Sequence, residues 1–201
     1  MEYTFTQDWF NDSKMHIIWE RVKVECNPKH ILEIGSFEGQ SSCFFIEKFS
    51  PKELYCLDPW ESEYYENHNI KMDDAYKNFE SNIKIALSKT DYKTDVIIYK
   101  NTSNKKLPEL VADRYRNYFD LIYIDGSHIA HDVMFDATLS FELCKTNGLI
   151  IFDDYLWKHE QEDILSSHKL AIDSFTNLYS KKIEILSHMP LYKLFVKKLN
   201  D

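Results

Sequence analysis

The sequence is poor in glycine, cysteine and arginine, and it has no long hydrophobic run. Its four cysteines stand singly, without the C-x-x-C pair of a zinc site, so we expect buried thiols in a reducing compartment. The longest apolar runs are about as short as residues 149–152, and the first residues are acidic rather than basic and apolar. We therefore expect neither a secretion signal nor a membrane-spanning helix, and a cytoplasmic location.

Negative charge exceeds positive charge, with 33 Asp and Glu against 24 Lys and Arg and a formal net charge of −9. Such a field repels phosphate backbones, so nucleic acid is not an expected partner. The 201 residues are 44% hydrophobic, which is enough for one packed core. We expect residues 1–28 to form an N-terminal helical cap segment and residues 29–201 to form a single domain.

Short apolar runs alternate with segments of helical spacing, which predicts an α/β fold. Runs without polar alternation predict parallel strands covered on both faces, at residues 31–34, 54–57, 96–99, 121–124 and 149–152. Two further runs, 182–186 and 191–196, are joined by a short connection that contains Pro190, and they predict an antiparallel hairpin. Pro108 suits the first turn of a helix, and we expect Lys197 and Lys198 to be solvated.

Two of the four glycines lie in one loop after the first strand, in the stretch EIGSFEG. Gly35 and Gly39 would let backbone N–H groups approach a ligand closely. The spacing is not G-x-G-x-x-G, and Glu38 stands where a pyrophosphate would rest, so NAD and FAD are not expected. Asp58 ends the second strand, where a carboxylate commonly grips a ribose. The loop alone also fits a tight turn in another α/β protein, but with Asp58 it predicts a nucleoside without phosphates.

Three later segments complete the pattern: Asn101-Thr102-Ser103 after the third strand, YIDGSH around the end of the fourth, and GLIIFDDY at the fifth. Together they resemble class I S-adenosylmethionine-dependent methyltransferases, and within that group the small-molecule O-methyltransferases of the macrocin and sugar type. The resemblance runs from about residue 30 onwards. It implies a three-layer Rossmann-like methyltransferase sandwich, with a mostly parallel seven-stranded sheet and an antiparallel C-terminal hairpin.

The resemblance also implies the residues that bind S-adenosylmethionine. Ser41 would bond the cofactor carboxylate, and Asp58 would hold the ribose. Trp60 would border the adenine together with the loop after the third strand. By position, the full cofactor set is Glu33, Gly35, Ser36, Gly39, Ser41, Asp58, Trp60, Thr102, Ser103 and Asp125.

A divalent cation, Mg²⁺ or Mn²⁺, is implied as a second cofactor, with Asp125, Asp153 and Asp154 as its ligands. Asp125 and His128 are the catalytic candidates, with His128 as the general base that takes the proton of a substrate hydroxyl. Other interpretations stay open. The acid pair would also suit a solvated loop or the N-cap of the next helix, and Ser127 with His128 would also simply open a helix.

The function that the resemblance implies is methyl transfer to a hydroxyl of a small molecule, with a sugar of a glycan or glycosylated product as first choice. The alternatives are a non-catalytic S-adenosylmethionine-binding module and a related enzyme with another reaction, such as hydroxylation. A small-molecule or glycan substrate is the expected partner, without membrane or nucleic acid, and a homo-oligomer is left open. Tyr155, Trp157 and His159 are pocket candidates, whereas His131 is expected at the surface.

Overall fold

The computed structural model describes residues 2–10, 16–61, 71–156, 167–189 and 192–201. Strands and helices alternate along this part of the chain, as the apolar pattern predicts. The strands are β1 (His30–Ile34), β2 (Glu53–Asp58), β3 (Asp95–Lys100), β4 (Phe119–Ile124), β5 (Cys144–Phe152), β6 (Ile183–Ile185) and β7 (Leu194–Lys198). The helices are α1 (His16–Cys26), α2 (Gln40–Phe49), α3 (Met72–Ser88), α4 (Ser103–Ala112), α5 (Ala130–Leu143) and α6 (His168–Leu178).

The seven strands of the described chain form one sheet in the order β3-β2-β1-β4-β5-β7-β6. Strands β1 to β5 are parallel, and β7 runs antiparallel between β5 and β6. This confirms the predicted mixed sheet with its antiparallel C-terminal pair, although β7 begins and ends later than its apolar run. Pro190 lies outside the described residues. Ile34, Ile124 and Phe152 stand level in the register, so the loops that follow β1, β4 and β5 emerge side by side.

Helices cover both faces of the sheet, because successive strand residues point to opposite sides. On one face, α1, α2 and α3 bury large aromatic side chains that include Trp19, Phe45 and Phe79. On the other face, α4, α5 and α6 contribute Leu107 and Phe175 among others. The result is the three-layer sandwich that the sequence predicts.

Part of the predicted N-terminal cap is helical and part is not. Helix α1 lies within residues 1–28 and packs Trp19 and Val22 into the core. Residues 2–10 carry no helix and run in an extended path beside α2 and α3. We call residues 2–10 the N-terminal strap.

Two smaller expectations are wrong. Helix α4 begins at Ser103, soon after β3 ends, so Pro108 lies in the helix interior rather than in its first turn. Lys198 is 1% exposed rather than solvated, and its Nζ donates to the main-chain carbonyls of Phe141 and Cys144 at 3.0 Å each. Burial of this lysine is possible because main-chain oxygens replace its water ligands.

The state of the cysteines and the character of the helices concern two expectations from the sequence. The four cysteines all lie in the described residues and form no disulfide; Cys26 is half-buried and the other three are buried. Among the described helices, none combines the length and the apolar character that crossing a bilayer requires.

Candidate active site

The turn between β1 and α2 has no space for side chains at its two glycines. Gly35 has φ +89°, and a Cβ there would lie 1.9 Å from the main-chain oxygen of Asp125. Gly39 has φ +79°, and a Cβ there would lie 2.8 Å from the ring of Phe79. Both positions require glycine, on conformational and on steric grounds. The turn is therefore packed directly against the loop that follows β4.

A cage of serines surrounds Glu33, which is fully buried near the end of β1. Ser36 Oγ donates to Glu33 Oε2 at 2.7 Å, and the hydroxyls of Ser41 and Ser42 donate to the same carboxylate. Burial raises the pKa of Glu33, and the three hydrogen bonds oppose this shift. The cage ties β1 to the first turn of α2. Ser41 thus already has a protein partner, and its bond to a cofactor carboxylate stays a prediction.

Asp58, at the end of β2, holds the same turn from the other side. Its Oδ2 accepts the backbone N–H groups of Ser36 and Phe37 at 3.0 and 2.9 Å, and its Oδ1 accepts that of Trp60 at 2.6 Å. Burial raises the pKa of Asp58, and the three N–H donors oppose this shift. The Trp60 indole is buried against Phe79, and its Nε1 donates to the Phe37 carbonyl at 2.7 Å.

The loop after β3 lies beside Asp58. The backbone N–H of Asn101 donates to the main-chain oxygen of Asp58 at 3.1 Å, and Thr102 follows at the N-terminal end of α4. Thr102 and Ser103 are half-buried. All the predicted cofactor residues therefore lie at the carboxyl edge of the sheet, at the ends of β1 and β2 or in the loops and first helical turns that follow β1, β2, β3 and β4.

Three potential metal ligands meet at the neighbouring loops. Because β4 and β5 are adjacent and parallel, the residues that follow them come together, and ligand atoms of Asp125, His128 and Asp154 all lie within 4.8 Å of one another. His128 Nε2 is 3.5 Å from Asp154 Oδ2. We call these three residues the acid–histidine cluster.

Negative charge is concentrated at this cluster. Burial raises the pKa of Asp125, and the charges of Asp153 and Asp154 raise it further. Burial would also raise the pKa of Asp154, but the hydrogen bond and charge of His128 and the charge of Lys193 outweigh it, so this pKa lies below its usual range. Two carboxylates are suitable ligands for Mg²⁺ or Mn²⁺, and a cation would relieve the repulsion between them. The residues present fit a divalent cation.

Asp153, the third predicted metal ligand, is engaged elsewhere. Its carboxylate pairs with Lys193 and accepts a hydrogen bond from Tyr123, and Lys193 Nζ lies 3.0 Å from the Tyr123 hydroxyl. Lys193, just before β7, is 5% exposed. An internal lysine thus neutralises Asp153. The structure brings two of the three predicted metal ligands, Asp125 and Asp154, together with His128, whereas the third is paired with a residue next to β7. The sequence pattern gave no sign of Lys193.

His168, the first residue of α6, is a further site residue that sequence reasoning missed. It is 3% exposed, and its Nε2 donates to the main-chain carbonyl of Asp154. Its ring centroid lies 5.3 Å from that of His128, and both histidines line a small recess together with Asp125 and Asp153. No motif singles out His168, because its site partners lie in loops that are distant in the sequence.

Of the three pocket candidates predicted from the sequence, the structure describes only Tyr155. Tyr155 is half-buried, and its hydroxyl donates to Asp173 Oδ1 at 2.7 Å. Trp157 and His159 lie outside the described residues. The side chain of His131 is 80% exposed, which confirms the expected surface position.

The N-terminal strap clamps the glycine turn from outside. The backbone N–H and the hydroxyl of Thr6 donate to Glu38 Oε2 at 2.6 and 3.1 Å. The buried Asn82 of α3 donates from Nδ2 to the carbonyl oxygens of Thr4 and Glu38, and its Oδ1 accepts the N–H of Thr4. At the end of the strap, the Phe10 ring packs beside Tyr123. The strap therefore contacts the glycine turn through Glu38 at one point and, through Phe10, the Tyr123 side chain that also lies beside Lys193 and Asp153.

Comparison with known proteins gives a family match and a relative. Residues 32–155, more than half of the chain, match the family described as a methyltransferase domain. Over 165 residues the chain is 26% identical to R132, an uncharacterised protein of Acanthamoeba polyphaga mimivirus. That alignment covers 79% of this chain and 67% of R132.

Solved structures with a similar fold include several O-methyltransferases. TomG of Streptomyces achromogenes, in complex with S-adenosylmethionine, has a TM-score of 0.63 at 15% identity, over 91% of this chain and 78% of TomG. An O-methyltransferase of Bacillus cereus, in complex with S-adenosylhomocysteine, has a TM-score of 0.62 at 17% identity, over 90% and 79%. MycE of the mycinamycin biosynthetic pathway, in complex with Mg and S-adenosylhomocysteine, has a TM-score of 0.59 at 20% identity; the match covers 92% of this chain but 50% of MycE. These likenesses agree with the Rossmann-like sandwich described above.

Proposed function

Because the chain belongs to the methyltransferase domain family, we propose that it moves a methyl group from S-adenosylmethionine to a hydroxyl oxygen of a small molecule, with the help of a divalent cation. The contact between Gly35 and the main-chain oxygen of Asp125 carries this proposal. It sets the turn suited to the methyl donor directly beside the acid–histidine cluster. A donor and an acceptor held in these two places would be neighbours, as direct transfer requires.

The cofactor half rests on the glycine turn and on Asp58. The turn brings backbone groups to the carboxyl edge of the sheet, where nucleosides bind in open α/β folds. Asp58 is fixed by three N–H donors, so its position is set before a ligand arrives. Thr102 and Ser103 stand at the next loop along this edge, on the side where the adenine would lie.

The chemical half rests on His128 and its neighbours. A divalent cation supplies a positive charge that lowers the pKa of a bound hydroxyl. Asp125 and Asp154 would hold that cation, and His128 would accept the hydroxyl proton. Transfer would join the hydroxyl oxygen to the methyl carbon as the carbon–sulfur bond of S-adenosylmethionine breaks, with S-adenosylhomocysteine as the leaving group. Asp154, 3.5 Å from Nε2, stabilises the protonated imidazole.

A sugar with neighbouring hydroxyls is the proposed acceptor class. Two adjacent hydroxyls can share one cation, and the cluster offers few protein ligands, which leaves coordination positions for substrate oxygens and water. The structure of MycE, which has a similar fold, contains Mg, and this supports the choice of cation.

Calorimetric titration with S-adenosylmethionine tests the cofactor half. We expect the wild type to bind and Asp58→Asn to bind roughly 10- to 100-fold more weakly, since hydrogen bonds to a charged carboxylate contribute about 1.5–3 kcal/mol. The matched control is Asp95→Asn, which removes an exposed carboxylate at the opposite end of the neighbouring strand β3. Absence of binding by the wild type would remove the cofactor and, with it, the proposal.

Mass analysis of acceptors after incubation tests the chemical half, with sugars and glycosides screened first. His128→Ala should lower turnover by about 10²–10⁴-fold and leave S-adenosylmethionine affinity unchanged. His131→Ala, one turn further on at the surface, should change neither quantity. Cofactor binding without a methylated product for any acceptor would favour a binding module, and a product of different mass would favour another reaction on the same fold.

A further inference from the structure

Side chains of α6 bind two residues that follow β5, Asp154 and Tyr155. The Tyr155 hydroxyl donates to Asp173 Oδ1 at 2.7 Å and receives a hydrogen bond from Lys169 Nζ at 2.9 Å. One residue earlier, the main-chain carbonyl of Asp154 accepts the hydrogen bond from His168 Nε2. Helix α6 therefore holds two consecutive residues at the end of β5, one through its side chain and one through its backbone.

The backbone of Asp154 needs such support. Asp154 has φ +53°, in the left-handed region that is uncommon for residues other than glycine and that persists where the surroundings impose it. Its N–H donates to Asp153 Oδ1 at 2.8 Å. With its carbonyl bound to His168, both peptide groups that flank its Cα are fixed. The direction of its side chain, towards Asp125 and His128, follows from this backbone.

His168 itself is rigidly placed. It is 3% exposed and packs beside His128 in the recess that Asp125 and Asp153 also line. As the first residue of α6, it belongs to a helix whose Ile172 and Phe175 are buried in the core. The hydrogen bond from His168 thus links a core helix to Asp154, one residue of the acid–histidine cluster.

We propose that His168 is a positioning residue for the divalent cation of the proposed function: by holding the carbonyl of Asp154, it keeps the Asp154 carboxylate directed at the cation. The inference rests on that proposed function. Hydrogen-bonded groups behind metal ligands typically raise metal affinity about 10- to 100-fold. Loss of the donor should therefore weaken cation binding while leaving the fold and the cofactor turn intact.

Mn²⁺ alone is the probe, and electron paramagnetic resonance of the free ion is the measurement, because it reports binding without turnover. His168→Leu removes the donor and keeps most of the volume. The longer side chain of His168→Gln restores an N–H donor at about the distance of the imidazole Nε2. The side chain of His168→Asn is too short for its amide to reach the Asp154 carbonyl. Tyr155→Phe is the matched control. It removes the hydrogen bonds of the Tyr155 hydroxyl to Asp173 and Lys169 and leaves the Asp154 carbonyl bound to His168. Thermal unfolding and S-adenosylmethionine titration are recorded for every variant.

We expect His168→Leu and His168→Asn to bind Mn²⁺ about tenfold or more weakly than the wild type, with His168→Gln and Tyr155→Phe within about threefold of it. Should the Leu variant not fold, the Asn and Gln pair makes the same comparison. Equal Mn²⁺ affinity in the wild type and the folded Leu or Asn variant would overturn the role of His168 alone. A wild type that binds S-adenosylmethionine but no Mn²⁺ would overturn both this inference and the cation of the proposed function, with the cofactor half left standing.

Discussion

Asp136 is a buried acid that lacks the partners which would keep it charged. It lies in the middle of α5 at 1% exposure, and within the described part of the chain neither of its carboxylate oxygens has a hydrogen-bond partner of good geometry. Burial raises the pKa of Asp136 to about 7, against 3.8 for an ordinary aspartate; the Ser103 hydroxyl opposes this shift and the charge of Asp132 adds to it. The folded chain therefore keeps a proton on Asp136 at pH values where the unfolded chain has lost it.

The size and sign of the effect follow from this difference in pKa. Roughly three pH units correspond to about 4 kcal/mol, at about 1.36 kcal/mol for each unit. Because folding raises this pKa, the group's contribution to stability is complete below the unfolded pKa and is lost as the pH rises through the folded value. Asp136→Asn keeps the shape and removes the charge. The variant should equal the wild type at about pH 4 and exceed it by up to about 4 kcal/mol above about pH 8.

Urea unfolding at about pH 5.5 and pH 8.5 measures this, and the advantage of the Asn variant should grow by about 2 kcal/mol over that range. Asp120→Asn is the control of opposite sign, because Asp120 accepts N–H groups of Lys29 and His30 and pairs with Lys145. Burial would raise the pKa of Asp120, but these donors outweigh it, so the pKa is lowered. That variant should lose about 1–3 kcal/mol at both pH values. An Asp136→Asn advantage that is zero, or the same at both pH values, would refute the reasoning.

Three further changes have expected outcomes in stability or exchange. Gly35→Ala should destabilise the fold by about 3 kcal/mol or more in thermal unfolding, since its Cβ has no room and its φ is unfavourable; a melting temperature like that of the wild type would contradict the turn geometry. Lys193→Met should lower the free energy of unfolding by about 3–5 kcal/mol by leaving Asp153 buried and unpaired, and adding Asp153→Asn should recover most of that loss in the same urea titration. Asn82→Leu should raise amide hydrogen exchange in the N-terminal strap, whose backbone it binds, with exchange in β4 unchanged; equal protection of the strap would show that other contacts hold it.

The sequence predicts the sheet well because its strands are covered on both faces and appear as unbroken apolar runs. The glycine turn is equally visible, since a side chain at Gly35 has no place to go. Asp58, Asp125 and Asp154 could be located because each ends a strand or follows one within two residues, and the carboxyl ends of parallel strands meet at one edge. These features depend on local pattern and on topology alone.

What the sequence does not predict depends on contacts between distant segments. Lys193 reaches Tyr123 across 70 residues, and nothing near either residue indicates the pair. His168 reaches Asp154 across 14 residues, from the start of a helix whose periodicity reports only its buried face. The sequence pattern indicates Glu38 only as an obstacle to phosphate. In the structure, its carboxylate binds the N-terminal strap and Asn78. Local spacing determines the elements, whereas the partners of buried charges depend on how those elements pack.

The position of β7 between β5 and β6 bears on the order in which the protein is assembled. On the ribosome, β5 and β6 are made before β7, which lies between them in the sheet. Until β7 is made, the apolar edge of β5 has no neighbouring strand on one side. The same interval leaves Asp153 without Lys193. The sheet is thus completed in the same event that neutralises the acid beside the candidate cation site. A nascent chain interrupted before β7 would be aggregation-prone and would lack the complete candidate active site.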